Sequence, residues 1–215
     1  MMNQHNRSTR SGVVLLAGVL SFSVWTTAAA QERMTPIPAD KMTEAQKKAA
    51  ADFTAARGNL SGPWAVLLRS PELVNRVRPL SDYLRFNSTL PPRLSEFVIL
   101  ITARGWAQQY EWNAHHPLAL KGGLNPDVAK AIAEGRRPAK MQEDEEIAYD
   151  FCTELDNNHS VSDATYARAL AKFGEPGIVD MVSLHGYYTM IAMVLNTART
   201  PLPPGTTSGL ARLPR

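Results

Sequence analysis

Proline and glycine punctuate this chain at intervals that suit helices and little else. Prolines stand where helices can open, at Pro71, Pro91-Pro92, Pro126 and Pro176, and glycines where they can close, at Gly58, Gly122-Gly123, Gly135 and Gly174. Proline fits a first helical position, where its missing N–H would be unpaired anyway, and glycine accepts the left-handed backbone that ends many helices. Between these marks the apolar residues recur three and four apart. Thr43 and Gln46 have capping-box spacing at the start of 40–57. A short apolar turn or helix is expected at 64–68. After Pro71, Leu73, Val74, Val77, Leu80 and Leu84 form one stripe. After Pro91-Pro92, Leu94, Phe97, Val98 and Ile101, widened by Ile99 and Leu100, form a broad apolar surface, which places that helix at the centre.

The later segments follow the same grammar. Asn125 caps 127–134. The helix at 142–155 carries Glu143, Asp144, Glu145 and Glu146 in its first turn, where negative charge complements the dipole. Ser162 caps 163–173. The stretch 177–198 is apolar almost all round, as expected of a helix in the core or at a subunit contact. No period-two alternation and no internal repeat interrupts this pattern, so the fold class is all-α, a single-domain helical bundle. From Pro201 onward the Pro/Gly/Thr-rich tail, 201–215, is expected to be extended or mobile.

The first thirty residues follow different rules. Arg7 and Arg10 precede a mostly apolar run from Gly12 to Trp25, and Ala28-Ala29-Ala30 supplies small residues for cleavage; residues 1–30 hold no Asp or Glu. This is the pattern of a secretory signal peptide cut after Ala30, and it predicts a periplasmic or secreted protein. The apolar run falls short of the about 20 residues a membrane span needs. No later segment is expected to span a bilayer. The remaining 185 residues suffice for one domain with a substantial core, with 31–59 as an N-terminal helical extension and 60–200 as the main domain.

The formal charge of +3 comes from 23 basic and 20 acidic residues. Two of the basic residues lie in the signal segment, which leaves 21 against 20, or +1. No Lys/Arg-rich run with interleaved aromatics occurs, so nucleic-acid binding has no support. The single cysteine, Cys152, provides no disulfide framework and no CxxC dithiol, and its apolar helical context reads as a core position.

The compact chemical element is Tyr110-Glu111-Trp112-Asn113-Ala114-His115-His116. On a helix, Glu111 and His115 share a face. A carboxylate beside an imidazole fixes its tautomer and raises its basicity, which suits proton transfer. Pro117 complicates that geometry. Proline is tolerated in a first turn but not deeper, so the helix is expected to begin near Ala114 or to kink there.

Leu90-Pro91-Pro92-Arg93-Leu94-Ser95-Glu96, then Tyr110-Glu111-Trp112-Asn113-Ala114-His115, then Ala119 and Gly123-Leu124-Asn125, together resemble the carboxymuconolactone decarboxylase family, within the alkyl hydroperoxidase D-like superfamily. The resemblance runs over about residues 60–200. It implies a small all-helical domain assembled as a trimer or hexamer, with sites near subunit boundaries. The peroxidase branch of that superfamily carries a Glu, then CxxC, then a His separated from the second Cys by three residues. Setting His115 on that His places Glu96 on the Glu, Gln108 on the first cysteine and Glu111 on the second. Both thiols are missing, and dithiol peroxide reduction is not expected.

The decarboxylase branch implies cofactor-free loss of CO₂ from a lactone-bearing carboxylate. The candidate catalytic residues are therefore His115, Glu111 and Glu96. Arg93, with Arg85 and Arg104 as alternatives, is the candidate cation for a substrate carboxylate. Trp112 and His185 complete the candidate binding residues. The expected ligand is a small carboxylate or lactone, with no cofactor and with a homo-oligomer as the assembly. The export signal separates this chain from the family's cytoplasmic pathway and so from its namesake substrate. Two other readings stay open: a metal site of Glu111, His115 and His185, and a non-catalytic helical binder.

Overall fold

The computed structural model describes residues 31–207, 209 and 210. The expected signal peptide, 1–30, lies outside them. The described residues contain eight α-helices and no strand: α1 (Glu44–Arg57), α2 (Pro63–Leu67), α3 (Pro71–Phe86), α4 (Pro92–Gly105), α5 (Gln109–Lys121), α6 (Pro126–Ala133), α7 (Glu143–Asn158) and α8 (Asp163–Ala198).

Local chemistry sets most of these boundaries. Thr43 and Gln46 close the expected capping box on α1, and a short 3-10 turn, Ala39–Lys41, precedes it, so the helix starts four residues later than its apolar pattern suggests. Pro71, Pro92 and Pro126 stand in the first turns of α3, α4 and α6. Asn125 accepts a hydrogen bond from Asp127 N, and Ser162 from Thr165 N. Within α8, Gly174 has φ 65° and ψ 175°, a backbone that only glycine adopts readily, so two helical arms meet at a kink where the sequence placed a stop and a restart.

The central helix is α4, as expected. Leu94, Phe97, Val98, Ile99 and Leu100 are completely buried, and α4 packs against α5, α6, α7 and α8. The α8 helix is long and apolar enough, by length and composition alone, to cross a membrane, contrary to the sequence expectation. Its apolarity belongs to the core: Met181, Leu184, Ile191 and Leu195 are fully or almost fully buried, and the helix packs against α2, α3, α4 and α7.

The N-terminal extension is joined to the main domain. Phe53 of α1 is buried, with its ring 4.8 Å from that of Trp64, and Arg33 N donates to the Ala198 carbonyl. In the tail, Leu210 is buried against the core.

The α4–α5 connection positions the chemistry. Trp106 closes α4, Ala107 takes a left-handed φ of 48°, and Gln108 N donates back to the Ala103 carbonyl. A turn this short makes α4 and α5 an antiparallel hairpin, so their facing side chains meet along its length.

Candidate functional site

α5 begins at Gln109, five residues before the start expected from Pro117. Gln108 is its cap: the side-chain oxygen accepts from Tyr110 N at 2.6 Å, and the amide donates to Asn196 of α8 at 2.9 Å. Pro117 sits inside the helix and gives up one intrahelical hydrogen bond. The burial of Trp112, His115 and Ala119 on the same helix offsets that loss. Because the helix is regular from Gln109, Glu111 and His115 do share a face: Glu111 Oε2 lies 3.4 Å from His115 Nε2.

The second ring nitrogen is taken from across the hairpin. His115 Nδ1 pairs with Glu96 Oε2 of α4 at 2.6 Å. The imidazole is thus held between two carboxylates, and it is only 5% exposed. Burial works against a charge here most strongly, but the interactions with Glu111 and Glu96 outweigh it, and the His115 pKa is raised above its ordinary value of 6.5. The edge of His115 also meets Tyr188 of α8, with ring centroids 4.9 Å apart.

A cavity of about 180 Å³ opens at this pair. His115 and Glu111 line it, whereas Glu96 stands behind the imidazole. The other walls are Arg57 at the end of α1, Ser61, Pro63 and Trp64 around α2, Ser81 and Arg85 of α3, Tyr110 and Ala114 of α5, and Tyr187, Tyr188 and Ile191 of α8. Arg57 is committed to its own helix neighbours. Its Nε donates to Asp82 at 2.8 Å and its Nη2 to Ser81 at 3.2 Å, while the guanidinium lies 5.3 Å from the Trp64 ring centroid. Arg85 Nη2 is 3.9 Å from Glu96 Oε1. Burial pushes the Tyr187 hydroxyl up to about 12 and Tyr188 well above its ordinary value, so both phenols stay protonated as potential donors.

The structure brings His115, Glu111 and Glu96 together and places the other three candidates elsewhere. Arg93 does not line the cavity. It turns to the acidic first turn of α7, pairing with Glu145 and donating to Asp144 at 2.6 Å. Trp112 is a core residue, 3% exposed, stacked on His116. His185 is buried in a different network: Nδ1 meets Thr102 Oγ1 and Nε2 meets Asp156 Oδ1, each at 2.8 Å. The metal set of Glu111, His115 and His185 is therefore not assembled. Among the described residues no three His, Cys, Asp or Glu side chains gather as a set of ligands.

A larger cavity, about 480 Å³, is lined by Arg104, Trp106, Tyr149 and Asp156 among others, and His115 is not part of it. Arg57 and the pair Tyr187 and Tyr188 line the His115 cavity without being among the residues the sequence marks for it. Arg57 lies in the extension outside the resembling segment, and its only local signal is a cation in the last turn of a helix.

No protein-family model matches the chain, and no curated protein is significantly similar. Solved structures are. An uncharacterized peroxidase-related protein from Ralstonia eutropha JMP134, with the alkylhydroperoxidase AhpD core, superposes with a TM-score of 0.65 at 14% identity, covering 80% of this chain and 93% of that one. An uncharacterized peroxidase-related protein from Silicibacter sp. TM1040 gives 0.66 at 15%, covering 84% and 96%. The chain therefore has the alkyl hydroperoxidase D-like helical fold. Fold at this level of identity does not carry chemistry, which has to be read from the side chains at His115.

Proposed function

We propose that this chain is an exported, cofactor-free acid–base enzyme of the carboxymuconolactone decarboxylase type, acting on a small carboxylate or lactone by decarboxylation or by lactone/enol isomerisation. The observation that carries it is the clamped imidazole: His115 held at Nδ1 by Glu96 and faced at Nε2 by Glu111, with His115 and Glu111 on the wall of a cavity.

Losing CO₂ or shifting a double bond leaves electrons on carbon as an enolate, and the enzyme must supply a proton there. A histidine whose pKa is raised carries that proton near neutrality. Glu96 fixes the ring and balances its charge. Glu111, also on the cavity wall, is placed to remove a proton from a neighbouring carbon or to return one to the imidazole. Tyr187, Tyr188, Arg57 and Arg85 line the same cavity, and such donors would oppose negative charge developing on a bound substrate. Export to the periplasm or beyond rests on the pattern of residues 1–30. Self-association into a trimer or hexamer is supported by exposed apolar side chains on α3 and α8, including Phe86 and Val179.

The test is carbon–proton exchange. Purified protein is incubated in D₂O with carboxylate-bearing lactones and enolisable acids, and the loss of the proton next to the carbonyl is followed by NMR together with CO₂ release. Wild type catalyses exchange on at least one of these compounds and His115→Ala does not. Equal exchange by both proteins excludes His115 as the proton carrier.

A further inference from the structure

Arg85 stands out among the charged groups of the His115 cavity. A guanidinium presents five N–H donors in a fixed fork. Arg85 Nε is buried without a hydrogen-bond partner, and Glu96 Oε1, at 3.9 Å from Nη2, is too far to accept. The fork finds no acceptor among the described residues, although its side chain is only 20% exposed. One face lies against the Phe86 ring, 4.9 Å from its centroid. A buried guanidinium N–H without an acceptor, as at Nε, is costly unless something supplies one, and the rest of the fork opens on the cavity. The neighbouring arginines are already engaged, Arg57 with Asp82 and Ser81, Arg93 with Asp144 and Glu145.

We propose that Arg85 is the anchor for the ligand's carboxylate, and that the ligand is a small monocarboxylate with an unsaturated or aromatic body. It rests on the acid–base reading of the same cavity. A planar carboxylate fits the fork with two parallel hydrogen bonds. Glu96 then sets the register, since one of its oxygens faces Arg85 and the other holds His115. A carboxylate on Arg85 puts the carbons next to it beside the imidazole and Glu111.

Charge limits the ligand to one carboxylate. Glu96 and Glu111 already flank His115, Arg57 is spent on Asp82, and Arg85 has only Glu96 near it, at 3.9 Å and shared with His115. A second ligand carboxylate would face like charge with nothing to balance it. Size and walls select the body. About 180 Å³ is the space of about six waters at roughly 30 Å³ each, enough for one ring, and Trp64, Tyr110, Tyr187 and Tyr188 supply aromatic surface.

The experiment is titration calorimetry with benzoate and crotonate as monocarboxylate probes and terephthalate as the dicarboxylate, on wild type, Arg85→Gln, Arg85→Lys and His115→Gln. Wild type binds a monocarboxylate more tightly than terephthalate. Arg85→Gln weakens that binding at least about tenfold with its melting temperature retained, and Arg85→Lys keeps part of it, because lysine offers charge without the fork. His115→Gln binds within about threefold of wild type and loses proton exchange. Unchanged affinity in Arg85→Gln, terephthalate binding as tight as benzoate, or no monocarboxylate binding at about 10 mM, the weak limit of specific recognition, overturns the anchor. If Arg85→Gln fails to fold, the Arg85→Lys affinity and the wild-type preference for one carboxylate decide. Monocarboxylate binding without proton exchange in wild type removes the acid–base reading and leaves the anchor. Exchange with Arg85-independent binding removes the anchor alone.

Discussion

Glu96 Oε2 and His115 Nδ1 meet at 2.6 Å across the α4–α5 hairpin, 19 positions apart in the chain. The pair makes His115 a better base in the folded protein than in the unfolded chain. Its folded pKa lies above the ordinary 6.5, so the stabilisation it contributes is fully present below 6.5 and is lost as pH rises through the folded value. Wild type should therefore exceed His115→Gln in stability by the largest margin on the acid side of neutrality, with the gap closing toward alkaline pH. Glu96→Gln should lower the His115 pKa, read from its ring-proton NMR titration, and cost about 1–3 kcal/mol at neutral pH. A His115 pKa unmoved by Glu96→Gln would contradict the pairing.

Arg93 and Glu145 form the tie between α4 and α7. Glu145 is 1% exposed, and it also accepts from Gln142 N at 2.8 Å as part of the α7 capping box. Removing Arg93 leaves a buried carboxylate without its cation, which typically costs about 3–5 kcal/mol. Arg93→Met should lose stability on that scale in urea titrations while monocarboxylate affinity holds. Arg93→Met with Glu145→Met should recover much of the loss, because an apolar pair of similar volume replaces both charges.

Helix ends mark where sequence reading works, and Arg93 and Arg57 mark where it stops. Turn chemistry is local, so Pro71, Pro92, Asn125, Ser162 and Gly174 mark helix ends in the chain itself. The pairing of Glu111 with His115 is also local, and it holds because one hydrogen bond lost at Pro117 is a small term beside the packing of Trp112 and Ala119. The partners of an arginine are not local. Arg93 reaches Asp144 and Glu145 some fifty positions away, and nothing near residue 93 announces them. Arg57 comes to the cavity from a helix outside the resembling segment, and His185 pairs with Asp156 29 positions upstream. Both need the tertiary fold before their roles are visible.

Peroxide chemistry provides a sharp negative. Cys152 is fully buried, and burial pushes its thiol well above the ordinary value, with Asp156 adding to the effect. Thiolate is the reactive form. Where the peroxidase pattern places two cysteines, Gln108 caps α5 and Glu111 faces His115. A dithiol-coupled assay with an organic hydroperoxide should show no turnover above background, and Cys152→Ser should match wild type. Turnover that survives Cys152→Ser would require a reductive chemistry that the His115 cavity does not contain.

The tightest test of the cavity wall lies at Gly62, which caps α2 with φ 56° and has no room for a side chain. A Cβ there would stand 2.5 Å from the Tyr110 hydroxyl. Gly62→Ala therefore meets two obstacles, a backbone region that L-residues avoid and a collision with a tyrosine of the cavity wall. The first costs about 1–3 kcal/mol. The second forces Tyr110 to move, and it should weaken monocarboxylate binding by reshaping the space in front of His115. The two effects separate in a double-mutant cycle. Tyr110→Ala in the Gly62→Ala background removes the collision and leaves the backbone strain. The double variant should then be less destabilised than the sum of the two single changes, as measured by chemical denaturation. Strict additivity would show that Gly62 and Tyr110 do not touch, and the wall would have to be drawn differently.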